Sequence, residues 1–168
     1  NDRIEIGNGN SPAFTFGGNI GISWKGFDFS MLLQGVGKHK VYYNNQAFRF
    51  VTVMGQSLNK DITDHAWTPE HPYNSKYPRL RNNANSKNNI ASDALVFNAS
   101  YLRCKNIQLG YTLPSHISEK FFVENLKIYT SIDNLFTLTD FPGLDPEIAA
   151  GVGYPQLRQY SVGINVTF

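Results

Sequence analysis

The chain has 168 residues and a formal net charge of +2, with no Lys/Arg block of the kind that tracks phosphates, which excludes nucleic acid as a partner. No run of about 18 apolar residues is present, which excludes a transmembrane helix. The single cysteine, Cys104, excludes an internal disulfide framework and reads as a small strand residue rather than a reactive thiol.

A mean hydropathy of −0.33 leaves a membrane β-structure open, because only half of each barrel strand is apolar and polar loops dilute the average. Twelve Phe, nine Tyr and 14 Gly fit strands and turns. The sequence opens on Asn1 with neither an initiator Met nor a signal peptide, so it is expected to be the C-terminal piece of a longer chain.

Residues 1–12 read as a polar turn or loop. A first strand is expected over about 13–24. Phe14, Phe16, Ile20 and Ile22 lie on one face, and Thr15, Asn19, Gly21 and Ser23 on the other. Lys25-Gly26 makes a tight turn into a second strand over about 27–36. There Phe27, Phe29, Met31 and Leu33 alternate with Asp28, Ser30 and Gln34, and Leu32 interrupts the polar row.

A long polar loop follows over about 37–97, rich in Asn and broken by Pro69, Pro72 and Pro78, with a short helix possible around Gln46–Leu58. A third strand spans about 98–113, with Ile107, Leu109, Tyr111 and Leu113 on one face. Leu102 and Cys104 fall on the opposite parity, so a bulge is expected near Cys104–Lys105. A short connection over 114–125 has room for one helical turn. A fourth strand runs over about 126–136, and a second loop over about 137–156 carries Pro142-Gly143 and Asp145-Pro146.

The last strand, over about 157–168, has the strictest pattern. Tyr160, Val162, Ile164, Val166 and Phe168 share one face, and Ser161, Gly163, Asn165 and Thr167 the other. Such a row is a poor soluble edge strand but suits lipid on one side and a polar lumen on the other. Its terminal aromatic resembles the C-terminal assembly signal of bacterial outer-membrane β-barrels. Phe14, Trp24, Phe27 and Phe168 are candidates for interfacial girdles.

The connections alternate short, long, short, long, as in barrels with short periplasmic turns and long extracellular loops. That arrangement puts the C-terminus at the periplasmic face. Strands of about 9–11 residues are long enough to cross at a tilt of about 45°. Five strands cannot close a barrel, so this segment is expected to be part of the wall of a larger one.

Several motifs point to a family. Trp24-Lys-Gly-Phe-Asp28 leads into Gln34-Gly-Val-Gly37, and Trp67-Thr-Pro-Glu-His-Pro72 is followed by Tyr77-Pro-Arg-Leu80. Then come Asn98-Ala-Ser-Tyr-Leu-Arg103 with Lys105-Asn106, Leu109-Gly-Tyr-Thr-Leu-Pro114, Asp133-Asn-Leu-Phe-Thr137 and Pro142-Gly-Leu-Asp-Pro-Glu147. The ordered set resembles the C-terminal segment of SusC/RagA-type TonB-dependent outer-membrane transporters of Bacteroidota. It departs from that pattern at Cys104, where Leu is common, and at His71, where Asn is common.

The resemblance implies a barrel of about 22 strands, of which these would be the last five. It further implies a plug domain and a TonB-contacting segment lying outside this chain. It also implies a SusD-like surface lipoprotein that closes over the mouth, and a cargo of glycan or peptide too large for porins. No cofactor or metal is implied.

No catalytic set is legible. His39, His65, His71 and His116 lack metal-ligand spacing, and no GxSxG, P-loop or GxGxxG occurs. Asp61/Asp64 and Asp140/Asp145/Glu147 offer carboxylate pairs, but turn chemistry accounts better for the Pro-rich second group. Tyr42, Tyr43, Trp67, Tyr73 and Tyr154 are candidates for contact with ligand or lid, set against the commoner role of packing the loops. The rival reading from another class is a secreted β-sandwich binding or adhesive module, with the apolar faces as a soluble core.

Overall fold

The computed structural model describes residues 11–43, 58, 60–81, 93–148 and 153–168. Five long strands make one antiparallel sheet: β1 (Phe14–Trp24), β2 (Phe27–Gly37), β5 (Tyr101–Thr112), β6 (Asn125–Asp133) and β8 (Gln159–Thr167), in the spatial order β1-β2-β5-β6-β8. Each long strand therefore lies beside the next long strand in sequence. β3 (Lys40–Tyr42) and β4 (Val96–Asn98) form a separate small pair, and β7 (Thr137–Thr139) joins the main sheet on β5.

Lys25 (φ 48°) and Gly26 (φ 87°) close the β1–β2 hairpin. Positive φ at both central residues is the two-residue hairpin geometry whose twist matches the flanking strands. Gly26 is also crowded: an added Cβ would lie 2.7 Å from the Thr112 carbonyl oxygen of β5.

The register assigns every side chain to a face. Trp24 pairs with Phe27, Ile22 with Phe29 and Ile20 with Met31. The same rows continue through Tyr111, Leu109 and Ile107 to Ile128, Thr130 and Ile132, and then to Ile164, Val162 and Tyr160. The opposite face carries Ser23, Asp28, Ser30, Gln34, Gln108, Ser131, Ser161 and Asn165. Leu32 sits on this polar face between Asn19 and Asn106.

Hydrogen-bonded polar side chains tie the polar face together. Lys127 Nζ lies 2.8 Å from Asp28, whose other oxygen accepts from Ser23. Asn106 Nδ2 donates to Asp133 at 2.7 Å.

The parity slip in the third strand is a bulge. Leu32 pairs with Asn106 and Leu33 with Cys104, so Lys105 is the extra residue. The insertion returns Leu102 and Cys104 to the apolar face, opposite Gly35 and Leu33. A second irregularity lies beside it. β6 ends at Asp133, three residues short of the expected 136, and β7 resumes the same edge of β5 at Thr137. Asn134 takes a left-handed φ of 52° between them, and its amide bonds to the Lys105 carbonyl.

Away from the buried Cys104, the apolar face is largely uncovered among the described residues. Ile22 is 60% exposed, Val162 80% and Ile164 64%. A β-sandwich would bury this face under a second sheet, and the described residues lay none over it. Phe14 and Trp24 mark its height: ten residues apart, they span about 33 Å along the strand, or about 23 Å at a tilt of about 45°. The apolar band of a transmembrane barrel is about 25 Å tall. The sheet has the faces and the height of such a barrel wall.

The two ends differ. The Lys25-Gly26 turn, the 113–124 connection and the C-terminus share one end, where the Thr112 amide bonds to Gly26 and the Glu124 amide to Thr167. The 38–100 and 134–158 segments leave the other. The 38–100 segment carries, in its described residues, regular structure that its polar composition did not suggest. It contains β3, β4 and a short helix α1 (Lys60–His65), with a core of Val41, Tyr43, Ile62, Tyr77, Leu95 and Ala99, joined by Phe141 from the second loop. The helix expected around Gln46–Leu58 falls outside the described residues apart from Leu58.

Gly35 of β2 is crowded from both neighbouring strands, β1 and β5. A Cβ there would meet the Tyr101 carbonyl oxygen at 2.5 Å and the Phe16 ring at 2.4 Å, whereas one at Gly18 meets nothing within 4 Å. Gly35→Ala in the full-length chain is expected to lose about 2 kcal/mol. The readout is a lower temperature for the heat-modifiable gel shift, with Gly18→Ala unchanged.

Candidate functional site

The loop end of the sheet holds a dense polar network. Its centre is Arg103, on the polar face of β5 and 2% exposed. Its Nε donates to Thr137 Oγ1 at 2.8 Å and its Nη2 to Asp145 Oδ1 at 2.8 Å, while Nη1 lies 3.2 Å from Glu147 Oε2. Lys105, the bulged residue, reaches Glu147 Oε1 at 2.7 Å, and the Tyr101 hydroxyl donates to the same oxygen at 2.8 Å. The bulge thus places two cations near one pair of acids.

Asp145 is 3% exposed and fully engaged. Beyond Arg103, its carboxylate accepts from the Glu147 and Gln156 amides, both at 2.9 Å. Burial pushes this carboxyl up, but the Gln156 and Glu147 amides and the Arg103 guanidinium outweigh it and hold it below the usual carboxylate range. The Asp140–Glu147 stretch, read from sequence as turn chemistry, does turn at Asp145–Ile148, and Asp145 and Glu147 add an ionic staple that pins the second loop to the wall.

A carboxyl with a depressed folded-state pKa stabilises above its unfolded value of about 3.9 and loses that contribution as pH falls through the folded value. Protection of the Glu147 and Gln156 amides from hydrogen exchange, corrected for intrinsic rates, is expected to be full at pH 6 and to fall away below about pH 4.

A second network stiffens the first loop. Asp61 Oδ2 accepts from the Tyr77 hydroxyl at 2.6 Å and from Lys76 at 3.2 Å, and Oδ1 lies 3.0 Å from His65 Nδ1. The Tyr77 hydroxyl, ahead of an opposing effect of burial, holds Asp61 below the ordinary range, with help from Lys76. Asp64 pairs with Lys60 along α1.

The contact candidates separate. Tyr43 is 6% exposed and packs edge-on against Phe141 and Phe97, so it is a core residue, a correction to its place among the contact residues. Tyr42 is half-buried against that core, and Trp67 is half-buried. Tyr73 and Tyr154 are both 96% exposed. Tyr154 borders an open groove of about 560 Å³ lined also by Lys105, Asp133, Asn134, Gln156 and Gln159. The girdle candidates Phe14, Trp24, Phe27 and Phe168 are 50%, 65%, 47% and 90% exposed, the first three placed by the register on the apolar face. No cluster of three or more His, Cys, Asp or Glu able to hold a metal occurs among the described residues. No described helix is long and apolar enough to cross a membrane.

Sequence reading missed Arg103 as the organising residue. The available signal was two cations, Arg103 and Lys105, flanking a parity slip in an otherwise amphipathic strand.

No family model matches the chain. TonB-dependent receptor P3 of Formosa agariphila is 31% identical over 99% of this chain and 17% of its own length. TonB-dependent receptor SusC of Bacteroides thetaiotaomicron is 26% identical over 88% of this chain and 14% of its own. Among solved structures, the RagAB peptide importer in its open-open state aligns with a TM-score of 0.74 and 29% identity, over 94% of this chain and 17% of that one. The chain spans less than a fifth of the length of these relatives. The matched lengths, the strand order and the two-faced sheet agree, and the chain is a barrel segment of a SusC/RagA-type TonB-dependent receptor.

Proposed function

We propose that this segment forms part of the wall and mouth of an outer-membrane importer driven by TonB. The observation that carries the reading is the sheet itself: an exposed apolar face backed by a polar face, with stapled loops at one end only. In this scheme the C-terminus lies at the periplasmic face, and Tyr160, Val162, Ile164, Val166 and Phe168 form the barrel-assembly signal. Phe14 marks one membrane interface and Trp24, Phe27 and Phe168 the other.

Cargo, a glycan or a peptide, is held between the mouth and a SusD-like lipoprotein lid. TonB acts on parts of the receptor outside this segment. Tyr42, Trp67, Tyr73 and Tyr154 are the rings offered to cargo or lid. The RagAB relative imports peptides, which supports keeping peptides beside glycans as cargo. The segment supplies positioning and no covalent chemistry.

Deleting the full-length receptor should abolish cellular uptake of one class in a panel of oligosaccharides and peptides, and loss of TonB should abolish the same uptake. The reading is overturned if uptake survives both deletions, or if the protein fractionates as a soluble secreted species.

A further inference from the structure

The 113–124 connection carries a feature that the transport reading does not use. Helix α2 (Ser115–Ser118) passes into a 3-10 turn (Glu119–Phe121) that ends on Phe122, in the left-handed conformation at φ 59°, ψ 32°. Bulky residues seldom adopt that conformation, and glycine or asparagine normally caps a helix there. Phe122 is nonetheless 93% exposed, and Phe121 beside it 62%.

The backbone beneath them is fixed. The Ser118 hydroxyl, fully buried, bonds to the Ser115 and Glu124 carbonyls, and the Phe122 amide to the Glu119 carbonyl. Val123 is buried directly after. The turn thus holds two adjacent aromatic rings outward on a rigid base, and nothing in the described residues packs over them.

Their place in the fold says what covers them. The connection leaves the sheet between Gly26 and Thr167, to which its flanking amides bond. Trp24 and Phe27 edge the apolar face at this same end, where Phe168 is also exposed, and Lys25 stacks over Trp24 at 5.0 Å. Aromatic rings with nearby cations, here Lys25 and Lys120, are the composition that settles into a lipid headgroup layer.

We propose that Phe121 and Phe122 form an aromatic membrane anchor, extending the strand girdle onto the turn and inserting into the headgroup layer of the leaflet at the C-terminal end of the strands. The inference rests on the membrane orientation proposed above.

The test uses the full-length receptor in liposomes containing phosphatidylglycerol, in a Cys104→Ser background freed of other thiols. An environment-sensitive dye is attached at Phe122→Cys, at Trp24→Cys or at Leu144→Cys in the second loop. Nitroxide-labelled lipid is expected to quench the Phe122 and Trp24 dyes at least threefold more than it quenches the Leu144 dye, with iodide showing the reverse order. Lipid quenching at Trp24 with iodide quenching at Phe122 overturns the anchor and leaves the barrel reading standing. Quenching at Phe122 by neither agent also overturns the anchor and assigns the rings to a protein surface. An unquenched Trp24 dye overturns the membrane reading itself.

Discussion

Replacing Arg103 with alanine is expected to release the 140–148 segment from the barrel wall and destabilise the mouth by about 3–5 kcal/mol. The guanidinium is the shared partner of Thr137, Asp145 and Glu147. Its removal leaves the buried Asp145 carboxylate without its cation. Lys105 still reaches Glu147, so the acid pair keeps half its compensation. Arg103→Lys should fall between, because a point charge cannot occupy three partners in a fixed fork. Limited proteolysis of the full-length receptor reads the effect: cleavage within 140–148 should rise sharply while the strands stay protected. Unchanged cleavage would show that the staple does not hold the loop.

The second large effect tests the assignment of faces. Val162 lies on the apolar face, six residues from Phe168 and close to mid-height of the band. Val162→Arg is expected to cost about 2–4 kcal/mol, the penalty for a cation at the bilayer midplane. Ser161→Arg, one residue away on the polar face, should assemble at near-normal levels. Surface abundance of the heat-modifiable species distinguishes them. Equal tolerance of both substitutions would place the sheet outside a bilayer. The comparison holds strand, position and side chain almost constant and changes only the side faced.

The wall was legible in the sequence, and the mouth was not. Strand alternation is a local signal with a period of two, so Tyr160 to Phe168 announced their faces without reference to any other strand. Even the bulge at Lys105 left a local trace, because Leu102 and Cys104 changed parity. The staple left none: Arg103 and Asp145 are 42 residues apart, and their pairing depends on how the second loop closes. The same holds for Tyr43 and Tyr77, whose burial is set by Val41, Ile62, Leu95 and Phe141 arriving from separate segments. The break after Asp133 was hidden because Leu135 and Phe136 beyond it suit a strand by composition, although Asn134 itself favours a turn. Only the left-handed turn at Asn134, answering the neighbouring bulge, divides β6 from β7.

The two loops share a hydrophobic core through Phe141, while the strands beneath meet through ladders that need neither loop. Closing a longer or shorter loop over the same strand pair changes its entropy slowly, by about 0.6 kcal/mol for each doubling of length. Length alone is therefore a weak barrier to remodelling. The barrier is the joint: a first loop brought in without its partner would leave Phe141 with no socket, and a second brought in alone would leave Val41 and Tyr43 uncovered. The mouth is built as a cassette of two interlocked halves, and the unit that can be transplanted between such barrels is the pair.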